Sequence, residues 1–139
     1  MSNEEIVALA NDIKKNYNTN DPFKIAKSLG IKFHYEPYKK NIMQGRVLQP
    51  FKNLPPCICL NSNFDVKSQI IFCAHELGHA IMHRNVCDYF DNDPISNPYE
   101  YEANLFAVAL LFDSNLFKYD IKKMDNFILK FILDYNVKY

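Results

Sequence analysis

The 139-residue sequence predicts an α+β fold. Two observations carry that prediction. Runs that alternate apolar and polar residues, the mark of half-buried strands, fall between residues 31 and 60. Helix-periodic runs opened by capping residues occupy the chain on either side.

Ser2-Asn3-Glu4-Glu5 is a capping box. Ile6, Leu9, Ala10, Ile13 and Tyr17 follow at helical spacing, which predicts a first helix to about Asn16. After a turn at Asn18-Thr19-Asn20, Asp21-Pro22 supplies an N-cap and a first-turn proline, and Gly30 a stop. Phe23, Ile25, Ala26 and Leu29 are the inward face of this short second helix. Ile31, Phe33 and Tyr35 alternate with Lys32 and His34, predicting a strand that Pro37 ends. A second strand is expected from Ile42 to Leu48, with a bulge at Gly45, and a third from Cys57 to Leu60. Asp65 caps a helix from about Val66 to His83, and Asn97-Pro98 opens another to about Phe112. Between them, Asn85 to Asn97 reads as a polar surface loop bordering a site. Asp120 is expected to cap a last helix with Met124, Phe127, Ile128 and Phe131 as its apolar stripe.

Length and the lack of any linker predict one domain over residues 1–139. Sixteen basic residues balance sixteen acidic ones, so no basic field exists to hold nucleic acid directly. No apolar run is long enough to span a membrane. The polar start, Met1-Ser2-Asn3-Glu4-Glu5, is unlike a secretory signal, and a cytoplasmic location is expected. Cys57 and Cys59 are wrongly spaced for a zinc knuckle and share a strand face, while Cys73 and Cys87 form no pair with them; all four are expected to remain thiols.

The chemistry is concentrated in His75-Glu76-Leu77-Gly78-His79, an H-E-x-x-H motif inside an apolar helical run. Residues four apart share a helix face, so both imidazoles can reach one ion, and Glu76 can address a water bound to it. Without a cation, two buried imidazoles and a carboxylate would each need another partner. Gly78 is expected to admit a backbone or a substrate. A third ligand is sought on the next helix. Glu100 shares a stripe with Ala103, Asn104, Ala107 and Leu111, small enough for close helix packing, and Asn104 is placed to hydrogen-bond a ligand. Alternatives exist: Asn97-x-x-Glu100 fits a capping box that would occupy Glu100; Glu102 points elsewhere on the helix; His34 or His83 could supply a nitrogen. His83, near a helix end, is expected to face the free carbonyls instead.

Together these segments resemble the ImmA/IrrE family of zinc metallopeptidases over nearly the whole chain. The resemblance rests on Asp21-Pro22-Phe23-Lys24-Ile25-Ala26 with Leu29-Gly30-Ile31, on Cys59-Leu60-Asn61, on Cys73 to Ala80 ending at His83, and on Glu100-x-x-Ala103-Asn104-x-Phe106-Ala107-x-x-Leu110-Leu111. The chain departs from the family in Phe112-Asp113-Ser114, which lacks a frequent proline, and in its C-terminal helix. The resemblance implies a zincin-like fold with helices on a small three-stranded antiparallel sheet. It also implies a glutamate ligand at Glu100, and a helix-turn-helix repressor of a prophage or mobile element as the protein substrate.

The expected mechanism is peptide hydrolysis. Zinc held by His75, His79 and Glu100 lowers the pKa of a bound water from about 16 to about 7, and Glu76 shuttles the proton to the leaving amine. Tyr99, Tyr101 and His34 are candidates to stabilise the oxyanion. The competing expectation is a metal-stabilised regulator that sequesters a repressor or toxin without cleaving it. Glu76 argues against that, since a structural site needs no general base.

Overall fold

The computed structural model describes residues 1–84 and 97–139. Its helices are α1 (Asn3–Tyr17), α2 (Pro22–Ser28), α3 (Val66–Met82), α4 (Asn97–Leu111) and α5 (Asn126–Tyr135). Its strands are β1 (Lys32–Glu36), β2 (Gly45–Leu48) and β3 (Cys57–Asn61). Single 3₁₀ turns at Ser114–Leu116 and Ile121–Lys123 link α4 to α5. Of the expected loop from Asn85 to Asn97, residues 85–96, with Cys87, lie outside the described residues, and Asn97 is the first residue of α4.

Local chemistry sets most of the boundaries. The Ser2 hydroxyl accepts from the Glu5 N–H, and the Glu5 carboxylate accepts from the Ser2 N–H, completing the capping box of α1. Asp21 caps α2 with Pro22 in its first turn, and Gly30 leaves it at a φ of 77°. The Asp65 carboxylate accepts from the Ser68 N–H and starts α3.

The sheet is α+β as expected but mixed, which corrects the antiparallel expectation. Its order is β1-β3-β2, with β1 parallel and β2 antiparallel to β3. The reason is geometric. β1 and β2 are consecutive and run in opposite directions, and β3 inserts between them. A central strand can then oppose only one of its neighbours. Buried Asn61 holds this arrangement, its amide donating to the carbonyls of Lys39 and Met43 in the connection between β1 and β2. No bulge forms at Gly45, which stays in register opposite Leu60.

The core sits between the sheet and the helices. Residues 103–110 of α4 are all buried, so this helix is enclosed on every side. α1, α3 and α5 pack against it, and α3 lies on β2 and β3. α5 differs from expectation. Asp120 caps only the second 3₁₀ turn, while Asp125 caps α5. Leu129 and Leu133 are buried, whereas Phe127 and Phe131 are exposed and Met124 precedes the helix. Cys57, Cys59 and Cys73 are free thiols; burial raises the Cys59 pKa to about 11 and that of Cys73 well above its ordinary value. No helix among the described residues is long and apolar enough to cross a membrane.

Candidate metal centre

α3 and α4 pack side by side, and small residues set how closely. Gly78 is where the helices meet: a Cβ there would stand 3.0 Å from Phe106 Cδ1. What Gly78 admits is therefore an aromatic ring of α4, rather than the backbone or substrate expected. Ala103, Asn104 and Ala107 are buried along the same helix.

This packing brings three side chains together. His75 Nε2 and His79 Nε2 are 3.2 Å apart. Glu100 Oε2 lies 3.1 Å from the first and Glu100 Oε1 2.9 Å from the second. One ligand atom from each of the three residues lies within 4.8 Å of the others, a group able to hold a metal ion. The Glu100 carboxylate thus faces both imidazoles, while the capping-box expectation at Asn97 rests on a side chain outside those described. His75 Nδ1–H donates to Asn104 Oδ1 at 2.8 Å, and the Asn104 amide donates to Asn126 Oδ1 at 2.8 Å. Asn104 stands where the sequence put it; Asn126, the first residue of α5, carries no local signal that could have found it.

Charge is unevenly distributed over the cluster. Burial alone would depress His75, but the Glu100 hydrogen bond and the charges of Glu76 and Glu100 raise its pKa to about 9. Burial wins at His79, whose pKa falls to about 4, helped by the neighbouring His75 and His83. Burial would raise Glu100, yet its bonds to both imidazoles hold it well below the carboxylate range.

Glu76 is 7% exposed on the same turn of α3. A Cβ on Gly45 of β2 would come within 3.1 Å of Glu76 Cγ. A side chain here would press on Glu76, because the edge strand lies directly against it.

The alternatives are sorted by position. Gly45 faces α3, so Arg46 points to the other side of the sheet, as do Cys59 and His34 in its row. His34 pairs there with Glu36 at 2.8 Å, away from the cluster. The Tyr101 hydroxyl donates to the Met124 carbonyl and accepts from the Asn3 amide. The Tyr99 ring packs on that of His83, with centroids 4.8 Å apart. The His83 ring meets side chains on both nitrogens: Nδ1 is 2.8 Å from His79 Nδ1, and Nε2 is 2.8 Å from Glu102 Oε1.

Residues 26–139 match Peptidase_M78, the IrrE N-terminal-like domain. The chain belongs to the ImmA/IrrE family. It is 31% identical over 114 residues to "Uncharacterized immunity region protein 2" of Bacillus phage phi105, covering 76% of this chain and 67% of that protein. No solved structure matches the chain. The ImmA/IrrE match begins in α2 and runs through α5, so it contains every residue of the cluster. Membership makes this a metallopeptidase-type enzyme.

Proposed function

We propose that this chain is a zinc-dependent endopeptidase that cleaves a helix-turn-helix repressor and so lifts repression of a prophage or mobile element. The convergence of His75, His79 and Glu100 within 4.8 Å, with Glu76 next to His75 on the same turn of α3, carries this reading. Two imidazoles and a carboxylate suit zinc and leave room for solvent. The immunity-region name of the phage relative supports a repressor as substrate.

Zinc, when bound, supplies Lewis acidity that activates water and polarises the scissile carbonyl. The chain supplies the rest. His75 and His79 present their Nε2 atoms, and Glu100 offsets the charge of the cation. Asn104 fixes the His75 ring through Nδ1. The Glu76 carboxylate takes a proton from the attacking water and returns it to the leaving amine.

Incubating the chain with a candidate helix-turn-helix repressor of a prophage or mobile element tests this. Wild type should yield two fragments by mass spectrometry, and a chelator should abolish them. Glu76→Gln should retain zinc and lose cleavage by about 10²–10⁴-fold. Normal cleavage by that variant would remove Glu76 from its role. A stable complex without fragments would favour sequestration of the repressor.

A further inference from the structure

The cluster is braced from a direction the proposed reaction does not use. α3 continues one turn past His79, to the C-cap residue His83. His83 is only 6% exposed. Its ring lies between two polar partners, with Nδ1 at 2.8 Å from His79 Nδ1 and Nε2 at 2.8 Å from Glu102 Oε1. Tyr99 packs against the ring with centroids 4.8 Å apart. The His83 backbone N–H donates to the His79 carbonyl at 2.8 Å, fixing the turn that joins them.

The contact between the two rings and that of His83 with Glu102 fit one arrangement with a ligating His79. A neutral imidazole has one N–H and one lone pair. If His79 Nε2 faces the cation, its proton is on Nδ1 and must be donated. The atom 2.8 Å away is His83 Nδ1, which therefore accepts. His83 must then carry its own proton on Nε2, where the Glu102 carboxylate accepts it. With His83 protonated on Nδ1 instead, His79 would have to turn a lone pair towards it. Its own proton would then sit on Nε2, and the ligand would be blocked.

We infer that His83 and Glu102 are positioning residues of the metal centre, a relay that holds His79 in the tautomer whose Nε2 is open to the cation. The relay rests on the zinc reading above and extends it. It gives Glu102, two residues beyond the ligand Glu100, a role distinct from ligation. It also gives α4 two separate holds on α3, through Asn104 on His75 and through Glu102 and His83 on His79.

Zinc affinity, measured on metal-free full-length chain by competition with a chromophoric chelator, tests the relay. His83→Phe keeps the ring volume and removes both nitrogens; its affinity should fall about 10–100-fold. His83→Asn restores an acceptor near the position of Nδ1 and should recover most of that loss. The metal-free melting temperatures of the two variants should be alike, which separates positioning from packing. Wild-type affinity in His83→Phe, or an equal loss in both variants, would overturn the inference. Should either variant fail to fold, long-range ¹⁵N–¹H correlation spectra of the zinc-loaded wild type decide alone. They should place protons on His79 Nδ1 and His83 Nε2; a proton on His83 Nδ1 overturns the relay. A wild-type chain that takes up no zinc would instead overturn the zinc reading, and the relay with it.

Discussion

His75 and His79 occupy one face of one helix and yet titrate in opposite directions. Against its burial, the Glu100 hydrogen bond and the charges of Glu76 and Glu100 raise His75 to about 9, while burial and its imidazole neighbours lower His79 to about 4. At neutral pH the metal-free cluster therefore holds one imidazolium, one neutral imidazole and the ionised Glu100. A cation must displace the His75 proton before that ring can ligate. The sign follows: deprotonation becomes easier as pH rises, so zinc affinity should climb about tenfold per pH unit between pH 7 and 8.5 and level off near 9. Chelator competition across that range checks it; a flat profile would contradict the charge assignment. Gly45 offers a second test at this scale. A Cβ there would meet Glu76 Cγ and Leu60 Cδ2, both at 3.1 Å, and the Cys59 carbonyl oxygen at 3.3 Å. Gly45→Ala should displace the Glu76 carboxylate and lower cleavage by about 10²-fold, while zinc, held by other side chains, binds as before.

Among the elements, α5 shows how far pattern reading extends. Its sequence is apolar on both faces, so spacing alone could not choose which face turns inward. The Asp125 cap starts the helix at Asn126 and directs Leu129 and Leu133 into the core, leaving Phe127 78% exposed. Leu129→Ala should destabilise the fold by about 2–5 kcal/mol, and Phe127→Ser should change it by no more than about 0.5 kcal/mol. Denaturant melts of the two variants decide which face is internal. α3 was legible because its cap, its periodicity and its H-E-x-x-H spacing are all local. Glu100 was legible because a stripe of small residues signals close helix packing. Strand polarity was not, since it depends on β3 inserting between two earlier strands. The contacts of His83 with Glu102 and of Asn104 with Asn126 join residues 19 and 22 positions apart, which periodicity cannot see.

At the scale of the whole molecule, the fold divides its labour between a rigid frame and a polar cluster. α4 is enclosed along residues 103–110 and carries Glu100 and Asn104 against α3 at fixed distance. α1 and α5 hold α4 while α2, β2 and β3 hold α3, so each helix that carries the three side chains packs on several elements. A site mounted on packed helices is more exact than one mounted on loops. Crystals of zinc-loaded protein, with data collected at the zinc absorption edge, would locate the ion. One anomalous peak should lie about 2.0–2.2 Å from His75 Nε2, His79 Nε2 and a Glu100 oxygen, with a fourth position open to solvent. A peak elsewhere, or a fourth protein ligand closing the site, would contradict the open three-ligand centre.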